Sequence, residues 1–328
     1  MHFDKGYSIL CVNKLFKNPN TMGDGTPVLC SGALSLLPER RSHYMNRPDG
    51  TRVKNLSAVV QALPYIMPKR YDAQNWSSEQ VDDDILKAYI REKRKEDKIV
   101  TRMSIMAAAY YKAVLENPKI NYFIVNRKIY QRNHFCFSFV ILKTRADGTP
   151  DETSLKVFLE PEDTVFTISE KVKTMIEANL SSEYNNNTDK FVNIAFSIPG
   201  LPRLIFGLAY LLDQYGLLPR KIIDLSPFHT SLFITNLASI NTPCIHHHCY
   251  EFGTTSVFIC MGRPARKPGE GNGKTMPISV VMDERIATGM EYSRFFAAFM
   301  RYLRNPALLE TRLDGKDAVE DQDCVTQA

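Results

Sequence analysis

Apolar and polar positions along the chain follow two periods, and together they predict helices mixed with strands. Acids followed by bases predict a helix at residues 78–95. Runs of helical character predict further helices at residues 101–115, 168–180 and 292–305. Short apolar runs predict strands at residues 122–125, 136–143, 154–159, 224–236, 257–261 and 276–281. Because helices and strands do not alternate strictly, the predicted fold is an α/β sandwich in which helices cover a mixed β-sheet.

The two ends of the chain show no sustained period. Residues 1–55 are rich in Gly, Pro, Asn and Arg and are predicted to form an irregular N-terminal arm. Residues 63–70 contain two prolines and are predicted to be extended, because each proline biases its predecessor away from helix. The folded domain is predicted to span residues 56–310. Residues 311–328 are acidic and poor in apolar side chains, which predicts a disordered tail.

Composition narrows the class of protein only a little. The 328 residues are 44% apolar and carry a net charge of +5, a basic excess too small to indicate nucleic-acid binding. Seven cysteines without a disulfide framework predict reduced thiols and a cytoplasmic location.

Residues 198–218 form an apolar segment with two alternative interpretations. Its uninterrupted apolar run, between Arg203 and Asp213, is nine residues long and too short to span a bilayer. One interpretation is a buried helix or a contact between subunits. The other is an interfacial helix, flanked by Arg203, Arg220 and Lys221, that rests on a membrane surface through residues 198–221 or shapes a lipophilic acyl pocket.

A strand, a turn and a helix follow one another near the end of the domain, and the turn reads Met-Asp-Glu-Arg-Ile-Ala-Thr-Gly-Met-Glu at 282–291. Two strand-like motifs, Ser-Leu-Phe-Ile-Thr-Asn-Leu at 231–237 and Ser-Val-Phe-Ile-Cys-Met-Gly at 256–262, precede it, and Asn-Pro-Ala-Leu-Leu follows at 305–309. In this order the motifs resemble the chloramphenicol acetyltransferase-like family, which includes the dihydrolipoyl acyltransferase catalytic domains of 2-oxo acid dehydrogenases. The resemblance spans residues 85–308 and implies that family's sandwich fold.

The resemblance also implies an activity, which is transfer of an acyl group from a thioester to an acceptor that the sequence does not identify. It implies coenzyme A or acyl-coenzyme A as co-substrate, a small-molecule thioester as partner and a homotrimer with its site between subunits. Thr235 falls on the position whose hydroxyl stabilises the oxyanion. The family's loop reads D-H-R-x-x-D-G, and its His is the base that activates the nucleophile, since a free thiol is mostly protonated at neutral pH.

This chain departs from the family loop at two positions. Glu284 stands where the His belongs and Thr288 where the second Asp belongs. Asp283 and Arg285 match the neighbouring positions and are expected to orient the loop. Glu284 would serve as the base if burial raised its pKa toward neutrality; otherwise it pairs with Arg285 or another cation and holds the loop. The second case favours a non-catalytic trimeric scaffold or regulatory relative.

His246, His247 and His248 form a cluster between the two strand motifs. One of them is a candidate base or substrate contact, and the alternative is structural hydrogen bonding. A metal is not expected, because adjacent residues rarely converge on one ion and the usual zinc-ligand spacings are absent. His134 and His229 are interpreted as structural histidines. The glycine-rich residues 269–275 are interpreted as a flexible loop and not a phosphate-binding loop.

Overall fold

The computed structural model describes residues 47–144, 150–181, 196–266 and 273–315. The strands in these ranges are β1 Gly50–Arg52, β2 Gln74–Asp82, β3 Tyr122–Val125, β4 Lys128–Arg132, β5 Phe135–Thr144, β6 Pro150–Leu159, β7 Leu232–Asn236, β8 Val257–Met261, β9 Ala265–Arg266 and β10 Lys274–Asp283. The α-helices are α1 Ala58–Ile66, α2 Asp83–Lys95, α3 Arg102–Glu116, α4 Val165–Ser181, α5 Leu201–Gln214, α6 Arg220–Leu225 and α7 Gly289–Arg304.

The described strands form a small sheet and a large one. The small sheet is antiparallel, with the order β1-β4-β3. The large sheet has the order β2-β10-β8-β7-β5-β6, and β9 pairs with β10 outside this path. Only β7 pairs in parallel within this described sheet, with β8 on one side and β5 on the other. The large sheet is therefore mixed, as predicted.

One face of the large sheet packs against helices and holds the main core. In β8, for example, Val257, Ile259 and Met261 belong to this core together with residues of α3, α4 and α7. Side chains alternate between the two faces of a strand, so Phe258 points the other way and packs with Phe233 and Val281. We call the side that carries Phe233, Phe258 and Val281 the second face. The predicted sandwich of helices on a mixed sheet is confirmed.

Several predicted elements agree closely with the structure. The strands at 122–125 and 257–261 coincide with β3 and β8. The helix predicted at 101–115 is α3, which begins after its N-terminal cap Thr101. The predictions for residues 1–46, for residues 269–272 of the glycine-rich loop and for the tail beyond 315 lie outside the described residues. Residues 50–52, inside the arm expected for 1–55, form β1 and pair with β4.

The helix predicted from residue 78 is wrong at its start. Residues 78–82 belong to β2, which pairs along its whole length with β10, and α2 begins only after Asp82. The Asp82 carboxylate caps the helix by accepting hydrogen bonds from the backbone N–H groups of Asp84 and Ile85, at 3.0 and 3.2 Å. Pairing with a neighbouring strand therefore overrides the helix-like charge pattern of the segment.

The extended segment predicted at 63–70 is also wrong, because α1 continues through it to Ile66. The side chain of Ser57 caps the start of α1, and Pro64 is buried inside the helix. Val60, on the same helix, packs against the main core. This packing outweighs the bias that Pro64 places on its predecessor.

The strand predicted at 224–236 forms only in its second half. Residues 220–225 are helix α6, and β7 begins at Leu232. The connection between them is held from inside by His229, whose Nδ1 lies 2.8 Å from the Ser226 hydroxyl. Residues 226–231 therefore position the start of β7 but are not part of the strand.

The apolar segment 198–218 forms α5 on the surface of this chain, so the buried-helix interpretation is wrong. Leu204 and Phe206 are 67% and 57% exposed. The helix is fixed at its C-terminal end, where the buried Asp213 lies 2.6 Å from the Arg47 guanidinium and 3.2 Å from His229 Nε2. None of the helices in the described ranges is long and apolar enough to cross a bilayer.

Candidate active site

The loop that follows β10 is fixed by a buried ion pair. Asp283 is fully buried and accepts hydrogen bonds from Arg285 at 2.8 Å (Nε) and 2.7 Å (NH2). Arg70 Nε lies 3.6 Å from the same carboxylate. Burial would lower the pKa of Arg285, but the hydrogen bonds and charge of Asp283 outweigh it and raise that pKa. Arg285 therefore stays charged beside Asp283, and the ion pair holds the loop in one shape.

Glu284 points away from this ion pair. Its backbone N–H donates to the Ala73 carbonyl at 2.8 Å, and its Oε2 accepts a hydrogen bond from Asn75 Nδ2 at 2.7 Å. Both partners belong to the segment that enters and begins β2. Glu284 is partly exposed, not buried, and Arg285 pairs with Asp283 instead of with Glu284. The carboxylate is therefore oriented by an amide and open to a ligand.

A pocket of about 630 Å³ lies against Glu284. Most of its walls are aliphatic or aromatic side chains from the segment before α1, from α1 itself, from the small sheet and from the loop after β10. These are Val53, Leu56, Val60, Leu63, Met67, Tyr122, Ile129, Ile286, Ala287 and Tyr292. The volume is in the range of small-molecule sites in proteins.

Thr288, at the position of the family's second Asp, has a structural role. Its hydroxyl accepts a hydrogen bond from the backbone N–H of Glu291, and the Glu291 carboxylate accepts one from the Thr288 N–H at 2.8 Å. This reciprocal arrangement is a capping box that starts α7. The Glu291 carboxylate also pairs with Lys119. The loop is therefore closed by a helix cap where the family has a charged contact.

Thr235 lies on the second face, in a row of side chains that crosses four strands. It pairs with Cys260 of β8, Cys260 pairs with Ser279 of β10, and Ser279 pairs with Ser78 of β2. Directly paired residues point to the same face of a sheet. The Thr235 hydroxyl is thus on the same side as the thiol of Cys260.

The histidine cluster lies over this row, in the segment that joins β7 to β8. Cys244 Sγ is 3.4 Å from the Cys260 carbonyl oxygen, and the Ser279 hydroxyl donates to the carbonyl of Ile245. His246 Nε2 lies 3.3 Å from the Ser78 hydroxyl. The residue that covers the strand next to Thr235 is therefore Cys244 and not a histidine.

The other two histidines of the cluster make contacts on the second face or at the surface. The ring of His247 stacks on that of Phe258, with 3.8 Å between centroids. The backbone carbonyl of His247 accepts a hydrogen bond from Trp76 Nε1 at 3.1 Å. Burial lowers the pKa of His247. His248 is exposed, and its ring lies 5.4 Å from that of Tyr250. These contacts favour the structural interpretation of the cluster.

Cys244 and Cys260 form a pair of free thiols that the sequence reading did not single out. A hydrogen bond from Cys260 lowers the pKa of the Cys244 thiol to about 6, whereas the same contact and burial raise the pKa of Cys260. The thiolate form of the pair therefore belongs to the partly exposed Cys244.

Glu284 and Thr235 do not meet within one chain. Along β10, Glu284 lies five residues beyond Ser279, about 16 Å at the usual rise of a strand. Thr235 lies two strands away from β10 in the sheet, about a further 10 Å sideways. A site that used both side chains would need a second copy of the chain.

A larger pocket of about 810 Å³ lies on the helix side, beside the end of β7. Asn236, the residue after Thr235, is one of its lining residues. Its described lining carries one acidic side chain, Glu177, and several basic ones, which are Lys87, Arg94, Arg102, Lys173 and Lys274. The pocket is therefore suited to an anion.

The two isolated histidines behave differently from each other. His229 is fully buried between Ser226 and Asp213, which agrees with a structural role. His134 has two buried ring nitrogens without a hydrogen-bond partner among the described residues, and burial lowers its pKa to about 3. It is therefore a neutral packing residue. Within the described ranges, no three His, Cys, Asp or Glu side chains converge as metal ligands would.

Comparison with known proteins gives matches among solved structures but none at the level of sequence. No family profile matches the sequence, and no curated protein matches it. Solved structures do match. A probable dihydrolipoamide acetyltransferase from Listeria monocytogenes aligns over 77% of this chain and 94% of its own, at 12% identity and a TM-score of 0.48.

Two further matches are of the same kind. The truncated catalytic core of the 2-oxoacid dehydrogenase multienzyme complex from Thermoplasma acidophilum has 12% identity and a TM-score of 0.48, over 78% of this chain and 99% of its own. A chloramphenicol acetyltransferase has 11% identity and a TM-score of 0.46, over 77% and 99%. At such identities, any function must be argued from the side chains of this chain.

Proposed function

We propose that this protein transfers an acyl group from a thioester to a small acceptor, with Glu284 as the proton acceptor. The observation that carries the proposal is the Glu284 carboxylate, held at 2.7 Å by Asn75 against a pocket of about 630 Å³. The neighbouring Asp283–Arg285 pair, which orients the loop in this proposal, fixes the backbone on both sides of that carboxylate. A base must lie within hydrogen-bond reach of the proton that it removes, and a fixed loop meets this need.

The reaction is an exchange of one acyl bond. Glu284 takes the proton from the hydroxyl or thiol of the acceptor, and the freed oxygen or sulfur attacks the thioester carbonyl. The carbonyl oxygen becomes an oxyanion, to which the Thr235 hydroxyl of a second copy donates a hydrogen bond. The C–S bond then breaks, and the departing thiolate takes the proton from Glu284. The products are the acylated acceptor and a free thiol.

Coenzyme A is the proposed carrier of the acyl group. The larger pocket supports this, because its basic side chains surround a space of about 810 Å³. The pocket reaches Asn236 at the end of β7, whereas Thr235 points to the other face of the sheet, so the acyl end of coenzyme A would pass the end of β7 to reach Thr235. Phosphate groups bind where several cations converge. Lys87 and Arg102 share the buried Asp83 at 2.6 and 2.7 Å, which fixes both cations at the pocket wall.

A homotrimer is the proposed assembly, since one chain keeps Thr235 and Glu284 apart. The exposed apolar side chains of α5 would then serve as a contact between copies. Static light scattering of the full chain tests this, and a monomer at micromolar concentration would contradict a shared site. Co-sedimentation of the chain with anionic vesicles would instead support a membrane contact through residues 198–221. The free thiols of Cys136, Cys244, Cys249 and Cys260 agree with a cytoplasmic location.

A non-catalytic scaffold is the second candidate. Three observations favour it: Glu284 replaces the family's imidazole, its side chain is partly exposed and not buried, and Thr288 is occupied in a helix cap. On this alternative the chain would still form trimers but would release no coenzyme A from any thioester.

A colorimetric assay of the free thiol released from acyl-coenzyme A distinguishes the two candidates. If the proposal holds, Glu284→Gln should lower kcat by about 10²–10⁴-fold, because the amide cannot accept the proton. Glu170→Gln is the matched control, since Glu170 is exposed on α4. Equal rates for wild type and Glu284→Gln would remove Glu284 from the mechanism. A folded trimer without activity toward thioesters of several chain lengths would support the scaffold.

A further inference from the structure

The chemistry of the pocket beside Glu284 restricts what it can hold. Aliphatic side chains from three parts of the fold form its walls, among them Val60, Leu63 and Ile286. The polar side chains of the lining are mostly bonded to the protein itself, since Ser57 caps α1, Asn75 holds Glu284 and Thr288 caps α7. Few hydrogen bonds remain for a ligand, so a strongly polar ligand would lose its water with little compensation. An apolar ligand, in contrast, gains from each methylene group that leaves water.

The charged groups of the described lining are mostly neutralised in pairs. Lys119 pairs with Glu291, and Arg285 pairs with Asp283 just behind the wall. Glu284 is the exception, because its hydrogen-bond partner is the neutral amide of Asn75. The pocket therefore presents one carboxylate to a ligand and otherwise a neutral surface.

Helix α1 covers the pocket and is tied to the loop that carries Glu284. Val60, Leu63 and Met67 face the pocket from α1 and its end. Arg285 NH1 donates to the carbonyl oxygen of Met67 at 2.8 Å. The side chain of Ser57 caps the other end of the helix. The loop thus carries the carboxylate at Glu284 and, through the next residue Arg285, holds the C-terminal end of the roof.

From these observations we infer that the pocket binds the acceptor, and that the acceptor is a neutral molecule with an aliphatic body and one hydroxyl or thiol group. The aliphatic body contacts α1, and the hydroxyl or thiol faces Glu284. The role of this ligand as the acyl acceptor rests on the proposed function, since the base must adjoin the group whose proton it takes. The aliphatic body follows from the apolar walls, and the single polar group follows from the one unpaired carboxylate of the described lining.

Binding without turnover is the first test. The full chain is titrated calorimetrically with 1-butanol, 1-hexanol and 1-octanol, in the absence of any thioester. Affinity should rise about fourfold for each added methylene, because each removes more apolar surface from water. Absence of saturable binding, or affinity independent of chain length, would overturn the inference.

Two neighbouring valines of α1 provide a matched pair of variants. Val60 lines the pocket, whereas Val59 is 72% exposed and does not. Val60→Trp should fill the space and weaken 1-octanol binding at least tenfold, while Val59→Trp should bind like the wild type. Equal loss in both variants would place the effect in α1 stability and overturn the assignment of the pocket. Circular dichroism and thermal unfolding check that both variants fold.

The last test separates acceptor from donor. In acyl-transfer assays, Val60→Trp should change the preference among alcohols and leave the preference among acetyl-, butanoyl- and octanoyl-coenzyme A unchanged. A change in the acyl preference instead would overturn the acceptor assignment. Length-dependent binding of alcohols by a wild type that transfers nothing would refute the proposed function while supporting the ligand class.

Discussion

Asn75 and Glu284 are 209 positions apart in the chain and are joined by a hydrogen bond of 2.7 Å. β2 and β10 bring them together, because the two strands pair from Asp82–Thr275 at one end to Gln74–Asp283 at the other. The end of this strand pair is therefore where the candidate base is oriented.

Removing the side-chain amide of Asn75 should affect the chemical step more than it affects binding of the thioester. We expect Asn75→Ala to lower kcat about 10–100-fold, since a hydrogen bond to a charged group contributes about 1.5–3 kcal/mol. KM for the thioester should stay within about twofold, because Asn75 lies outside the cationic pocket. Steady-state kinetics measure both constants. An unchanged kcat with a raised KM would show that Asn75 binds substrate and does not orient the base.

Thr235 should behave as a hydrogen-bond donor. Thr235→Ser keeps the hydroxyl, whereas Thr235→Val keeps the shape and removes the donor. If Thr235 stabilises the oxyanion, Val should lower kcat by about 10²–10³-fold and Ser should be tolerated. Equal rates for the two variants would make Thr235 a packing residue of β7.

Cys244 should react as a thiolate at lower pH than an ordinary thiol. The hydrogen bond from Cys260 lowers the pKa of Cys244 to about 6, so its alkylation by iodoacetamide should rise through that pH and level off above it. Peptide mass spectrometry at several pH values follows the reaction. Cys260→Ala should move the midpoint upward, because a methyl group cannot donate the hydrogen bond that stabilises the thiolate.

Cys249 is the internal control for this experiment. It is buried, and burial raises its pKa to about 12. It should stay unmodified over the same pH range. Alkylation of Cys244 with a midpoint above pH 8 would contradict the role of Cys260.

Asp213 should make stability depend on pH. Burial would raise the pKa of Asp213, but the hydrogen bond with His229 and the charge of Arg47 outweigh it, and the pKa is lowered. A carboxyl group with a lowered folded-state pKa stabilises the protein above its unfolded pKa of about 3.9. This stabilisation is lost as the pH falls through the folded-state pKa.

Asp213→Asn should remove that pH dependence. At pH 7 the variant should unfold with a free energy about 1–3 kcal/mol smaller, because Arg47 and His229 lose a charged hydrogen-bond partner while Arg47 keeps its pair with Asp49. Urea unfolding at pH 7 and at pH 3 measures the difference. Asp224→Asn is the control, since Asp224 is partly exposed and pairs with Arg220 on α6. Equal losses at the two residues would contradict the burial argument.

Elements with a strong local pattern were predictable from the sequence. The buried run of β8 and the helix that begins after the capping Thr101 needed only their own residues. β2 was not predictable in this way. Its polar residues 74–80 become a strand because β10 offers a partner along the whole length, and that partner is two hundred residues away.

The candidate site was predictable only in part for the same reason. The loop motif located Asp283, Glu284 and Arg285, and the strand motif located Thr235. No local pattern connects Asn75 to Glu284, nor the roof formed by α1 to the pocket below it. The proline-based expectation for 63–70 pointed away from that helix, which is stabilised by its contact with the core.

Arg285 makes Glu284 and the roof of the pocket mechanically dependent on each other. One end of its guanidinium is fixed by Asp283 beside the candidate base, and the other holds the carbonyl of Met67 at the end of α1. A ligand that orders α1 therefore also favours the ordered loop, and the coupling free energy between the two is the same in both directions. Ligand binding under α1 and the orientation of the Glu284 carboxylate are therefore coupled through Arg285.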